Sequence, residues 1–160
     1  MAPALSLDSV AKSFTMHLQG AITLPVVRNV TIDVEPRECV VLDGPSGIGK
    51  SSILKMIYGN YRCDAGRIDV RDGMVRVDIA GAEPQHIVRL RRHVVGYVSQ
   101  FLRVIPRVPA LEIVAAAARE AGNEASVARR QAAEMLARLN VPERLWSLAP
   151  ATFSGGEQQR

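Results

Sequence analysis

The sequence predicts an α/β fold, and three observations carry that expectation. Cys39 to Leu42 is an unbroken apolar run, as expected of a parallel strand buried on both faces. It leads into Gly44-Pro45-Ser46-Gly47-Ile48-Gly49-Lys50-Ser51, after which Ile53, Leu54, Ile57 and Tyr58 recur at helical spacing. Farther on, Arg71-Asp72-Gly73 separates two strand-like runs, and Asp-Gly there signals a hairpin turn. A buried strand, a glycine loop and a helix thus form one core, with an antiparallel sheet beside it.

Leu5 to Val10 alternates apolar and polar residues and reads as a half-exposed strand. Val26 to Val34 carries a second strand, closed by Pro36. Gly66 to Val70 and Met74 to Ile79 flank the hairpin turn. Pro84 to His93 reads as a helix, with Pro84 tolerated near its start. Val94 to Val98 is expected to be a further buried strand, leading into Ser99-Gln100. Pro106 and Pro109 break any regular element, and helices follow over Ala110 to Ala121 and Ala125 to Asn140. In the second of these, Ala128, Ala132, Met135, Leu136 and Leu139 form one apolar face. Arg129, Arg130, Glu134 and Arg138 lie opposite, and Glu134 and Arg138 have a favourable i, i+4 spacing.

At 160 residues there is room for one domain with a real core. Hydrophobic content of 48% and charged content of 22% are ordinary for a globular protein. The longest apolar run, Ile113 to Ala118, is far short of a membrane span, and the N-terminus lacks the layout of a signal peptide. Cys39 and Cys63 make no metal spacing and read as reduced thiols of a cytoplasmic protein. Histidines 17, 86 and 93 are scattered and suggest no metal cluster. The net charge of +4 comes from 17 Arg and 3 Lys against 16 acidic residues, and reads as a solvated Arg-rich surface. Aromatic content of 4% leaves few platforms for stacking bases, so no nucleic acid partner is expected.

The glycine loop fits G-x-x-x-x-G-K-[ST], the phosphate-binding loop of a P-loop nucleoside triphosphatase (NTPase) core. Gly44, Gly47 and Gly49 permit backbone angles that let successive N–H groups converge on one anion. The helix opening near Lys50 adds a partial positive charge. Lys50 is expected to reach the β- and γ-phosphates of ATP and to be catalytic, and the Ser51 hydroxyl to ligate Mg²⁺. The expected nucleotide-binding set in this segment is Gly44, Pro45, Ser46, Gly47, Ile48, Gly49, Lys50, Ser51 and Ser52. A second anion site is expected at the far end. Ser154 and Glu157 fit the capping box S-x-x-E, and Gly155 and Gly156 leave the first amides of that helix unobstructed.

The order of phosphate loop, Gln100 after a strand, and a helical segment ending in Ser-Gly-Gly-Glu-Gln-Gln-Arg resembles the ABC-type ATPase domain. The resemblance covers the whole chain. It implies a nucleotide-binding core with an antiparallel β subdomain over residues 1–100 and a helical subdomain over 101–160. It implies that Phe14 stacks on adenine, and that Gln100 ligates Mg²⁺ and helps position the attacking water. Ser154, Gly155, Gly156, Glu157 and Gln158 match the signature that contacts the nucleotide of a second ATPase subunit in a head-to-tail pair. Ile48 stands where a small residue is commoner, and Phe153 where leucine is usual, but neither offers a side chain to phosphate. The family's later Asp, Glu and switch His have no counterpart up to Arg160. The chain is therefore expected to be a fragment of a longer ATPase, inactive alone.

Within that superfamily, Tyr97 to Arg107 and Asn140 to Trp146 are similar to the PhnL branch, which serves the bacterial carbon–phosphorus lyase system for phosphonate breakdown. This implies carbon–phosphorus lyase components as partners. The alternative is the ATPase of a membrane transporter of lipoprotein-release or importer type, whose permease the Phe101 to Pro109 loop would meet at the inner membrane. A non-hydrolysing nucleotide-binding module is a further alternative.

Overall fold

A computed structural model of the chain describes residues 2–16, 20–99 and 105–159. Leu5–Met16 (β1) and Ile22–Val34 (β2) are followed by the helix Lys50–Ile57 (α1), the strands Ala65–Asp72 (β3) and Val75–Asp78 (β4), and the helix Pro84–His93 (α2). Then come Ala110–Glu120 (α3), Ala125–Arg138 (α4), 3₁₀ turns at Glu143–Leu145 and Pro150–Thr152, and the short helix Gly155–Gln158 (α5). The chain divides into two compact units, Met1–Val98 and Ser99–Arg160.

In the first unit one antiparallel sheet runs in the order β2-β1-β3-β4. Leu7 and Val10 are three residues apart, so plain alternation would send them to opposite faces. Both are nonetheless buried, at 1% and 0% exposure, because the register of β1 against β2 shifts between them and Ser9 takes a left-handed φ of 51°. Pro25 is accommodated because β2 is an edge strand, where a missing N–H costs no sheet bond. The Asp-Gly signal is where β3 turns into β4, with Asp72 opposite Val75 and Gly73 at φ 62°.

Ile53 and Met56 of α1 are buried in one cluster with Leu7, Val10, Val27, Ile68, Val70, Ile79 and Leu90. Met56 is fully buried, which stabilises by roughly 2 kcal/mol over leaving it in water. Helix α2 keeps the expected bounds, with Pro84 in its first turn and Arg91, Arg92 and His93 in the last, where cations suit the helix dipole.

Two expected strands do not form. Cys39–Leu42 and Val94–Val98 are irregular, and Val41 and Val98 are 80% and 96% exposed. A strand buried on both faces needs a paired neighbour, and among the described residues no segment pairs with either run. The second run is held instead by side-chain contact: the Tyr97 ring stacks on Tyr58 at 5.0 Å, and the Arg91 guanidinium lies 4.6 Å from the Tyr58 ring centre.

In the second unit α3 meets α4 through alanines. Ala115 and Ala128 are fully buried and Ala132 nearly so. Ala110, Leu136, Val141, Leu145 and Phe153 form the adjoining core. The small side chains make the buried seam narrow. It takes Ala128, Ala132 and Leu136 of the expected apolar face, but leaves Met135 and Leu139 at its margin, 45% and 42% exposed. Helix α4 stops at Arg138, short of the expected Asn140, which adopts a left-handed φ of 55°. Glu134 lies 4.0 Å from Arg130, the ion pair at i, i+4 that forms here, while Arg129 binds Glu112 at 2.9 Å. Both are exposed and contribute at most about 1 kcal/mol each.

Candidate functional site

The glycine loop wraps the start of α1. Gly44, Gly47 and Gly49 have φ of 133°, 86° and 106°, values that side chains disfavour. The Lys50 ammonium folds back over the loop and donates to the carbonyls of Gly44 at 2.5 Å and Pro45 at 2.8 Å. The Gly44 amide donates to the Asp43 carboxylate at 2.7 Å. Two of the three ammonium protons are thus engaged, which leaves one to offer a ligand. Gly49 is buried against β2, where a Cβ would stand 2.7 Å from the Val26 carbonyl oxygen.

The helix itself begins uncapped. Its first ladder bond runs from the Ile53 amide to the Gly49 carbonyl at 3.0 Å, so the amides of Lys50, Ser51 and Ser52 precede the ladder. No side chain caps the end, and no acidic residue occupies the first turn. Ser46 and Ser51 are exposed, Ser52 is half-buried, and Ile48 points largely to solvent at 55% exposure. A polyphosphate fits this donor set: uncapped amides, a helix dipole and one ammonium lie together, and the first helical turn carries no acidic residue. Mg²⁺ fits as well, since it commonly binds through one or two protein oxygens together with phosphate and water, and Ser51 supplies such an oxygen.

Phe14 lies on β1 opposite Leu24 and is half-buried. Its ring meets Tyr61 edge-on at 5.2 Å, and the Lys12 ammonium sits 5.5 Å from its centre. Lys12 is bound to Asp64 at 2.6 Å, and the Ser13 amide donates to the other Asp64 oxygen at 2.6 Å. These two hydrogen bonds hold the Asp64 carboxyl below its ordinary pKa. Lys12, Tyr61 and Asp64 were not among the expected site residues. Their contacts join positions some fifty residues apart, and no local pattern announces them.

Gln100 lies outside the described residues, as do residues 101–104 of the loop that follows it. The C-terminal motif forms the expected capping box. The Ser154 amide donates to Glu157 Oε2 at 2.9 Å, the Ser154 hydroxyl donates to the same oxygen at 2.7 Å, and the Ser154 oxygen accepts from the Glu157 amide at 3.4 Å. Ser154, Gly155 and Gly156 are exposed, and Gln158 donates to the Phe153 carbonyl at 3.0 Å. Phe153 is buried in the core of its unit, which accounts for an aromatic at that position without any role toward phosphate. Ser154→Ala is expected to cost about 1 kcal/mol of local helix stability, seen as faster amide exchange over residues 155–158 with α4 unchanged.

The loop, its strand-edge support and the uncapped helix form a candidate phosphate site in an α/β fold. A family model described as "ABC transporter" matches residues 27–160, and the chain belongs to that family. It is 38% identical over 156 residues to the lipoprotein-releasing system ATP-binding protein LolD of Maricaulis maris, covering 98% of this chain and 65% of that protein. It is 41% identical over 158 residues to LolD 2 of Caulobacter vibrioides, covering 99% of this chain and 66% of that protein. Among solved structures it is similar to a dimeric post-hydrolysis state of the ATP-binding cassette MJ0796 bound to ADP and Pi, with a TM-score of 0.84 and 26% identity over 97% of this chain and 65% of that one. The chain therefore spans about two thirds of the length of these relatives. The two LolD relatives belong by name to lipoprotein-releasing systems, which favours the transporter alternative over the phosphonate reading.

Proposed function

We propose that this chain binds Mg·ATP through Gly44–Ser52 and acts as the ATP-binding, hydrolysing part of a membrane transporter of lipoprotein-releasing type. The observation that carries the proposal is the loop: three left-handed glycines, an uncapped helix start and an ammonium folded over the loop with one proton left to offer. Lys50 holds and neutralises the terminal phosphates. Ser51 gives an oxygen to Mg²⁺, which when bound neutralises charge between the β- and γ-phosphates. Phe14 stacks on the base, and Gln100 orients the attacking water. The signature residues Ser154 to Gln158 face the nucleotide of a second cassette in a head-to-tail pair, a reading supported by the dimeric solved relatives.

The identity to lipoprotein-releasing proteins supports a membrane permease as partner, with the chain working at the inner face of the inner membrane. No described helix is long and apolar enough to cross a membrane. Phosphonate work with carbon–phosphorus lyase components rests on the Tyr97 to Arg107 and Asn140 to Trp146 likeness alone, and ranks second.

Calorimetric titration of folded chain with Mg·ATP tests the binding step, and absence of heat overturns the assignment. Steady-state phosphate release separates a hydrolysing chain from a binding module. Co-purification with a permease supports the transport reading, and exclusive capture of lyase components sinks it.

A further inference from the structure

Phe14 does not stand alone on β1. Lys12, Phe14, Tyr61 and Lys55 form a row with a cation at each end and two rings between: the Lys12 ammonium is 5.5 Å from the Phe14 centre, the two rings are 5.2 Å apart at 73°, and the Lys55 ammonium is 5.3 Å from the Tyr61 centre. Both ends of this ladder are tied down. Asp64 clips Lys12 and the Ser13 amide, one residue before Phe14. Tyr61 packs against the core cluster of its unit, and its amide donates to the Lys55 carbonyl of α1 at 3.3 Å. Both rings are half-buried, and Tyr61, the one packed against the core cluster, anchors the pair.

We propose that Tyr61 is a positioning residue for the nucleotide base. This rests on the reading of Phe14 as the base platform. Stacking needs a ring held at one rotation, and the terminal torsion of phenylalanine is broad unless a neighbour restricts it. An edge-on partner supplies that restriction, because the positive edge of one ring prefers the negative face of the other. The ring surface left open on Phe14 is then presented to a purine in a fixed plane. An aromatic pair of this kind is worth roughly two- to tenfold in an equilibrium constant. The phosphate loop does not depend on it, so the effect falls on the base alone.

The test uses the full chain and two probes, Mg·ATP and Mg·tripolyphosphate, which share the phosphates but not the base. Tyr61→Leu is expected to weaken ATP about two- to tenfold and to leave tripolyphosphate affinity unchanged, which also shows that the variant is folded. Tyr61→Phe keeps the ring and restores ATP affinity. Phe14→Leu weakens ATP, and adding Tyr61→Leu to it weakens ATP little further, because the two residues act as one unit. Equal weakening of both probes by Tyr61→Leu makes Tyr61 merely structural and overturns the proposal. So does unchanged ATP affinity in Tyr61→Leu when Phe14→Leu is impaired. If Phe14→Leu has no effect, the base platform itself is wrong and the proposal falls with it. If the wild-type chain binds neither probe, the phosphate site fails first.

Discussion

Lys50→Ala is expected to weaken Mg·ATP binding by about a hundredfold or more, beyond the range of an ordinary fluorescent-nucleotide titration. The substitution removes two things. One is the stitch across the loop, where the ammonium donates to the carbonyls of Gly44 and Pro45. The other is the point charge offered to the terminal phosphates. A hydrogen bond to a charged group is worth roughly 1.5–3 kcal/mol, so losing the phosphate contact together with the loop stitch reaches about two decades. Lys50→Arg keeps the charge but replaces a compact ammonium by a planar fork, and should fall between the two. Unchanged affinity in the alanine variant refutes the role given to Lys50.

Gly49→Ala is expected to be the most damaging single methyl in the phosphate loop. At φ 106° an alanine is strained before any contact is counted, and its Cβ would lie 2.7 Å from the Val26 carbonyl oxygen and 3.1 Å from Val27 Cγ2. The backbone of β2 cannot yield cheaply there, so the loop or the start of α1 must move. A loss of about 3 kcal/mol or more is expected, read as a lower urea midpoint together with loss of nucleotide binding. Gly47→Ala is the control. Its φ is 86°, but a Cβ would meet nothing within 4 Å, so only the backbone strain of about 1–2 kcal/mol remains. Equal midpoints for the two variants would show that the Val26 contact does not matter.

The parts of this fold that the sequence announces are those decided by neighbours in the chain. Asp72-Gly73 turns β3 into β4 by its own backbone preference, Pro84 opens α2, and Ser154 with Glu157 caps α5. The phosphate loop belongs to the same class, because its glycines and lysine act within eight consecutive residues. What stayed hidden depends on distant partners. Nothing near Leu7 and Val10 reveals that Ser9 will bulge, since that follows from pairing with β2 and from the need to bury both side chains. Nothing near Phe14 points to Tyr61. The runs at Cys39–Leu42 and Val94–Val98 have the composition of buried strands, yet composition does not pair a strand, and neither run finds a neighbour among the described residues.

The long β1–β2 pairing has a consequence for ligand size. Phe14 stands opposite Leu24, and two residues along the same strand Val26 supports the buried Gly49 of the loop. Aromatic ring and glycine loop are thereby mounted on one ladder, with the register shift at Val26 between them. On the proposed nucleotide reading, the sheet would gauge the distance between a heterocycle and its phosphate tail. Sliding β2 by a single residue would spoil the measurement and turn its side chains to the wrong face. The left-handed Ser9 and Asn29, one on each strand, pin the setting in place.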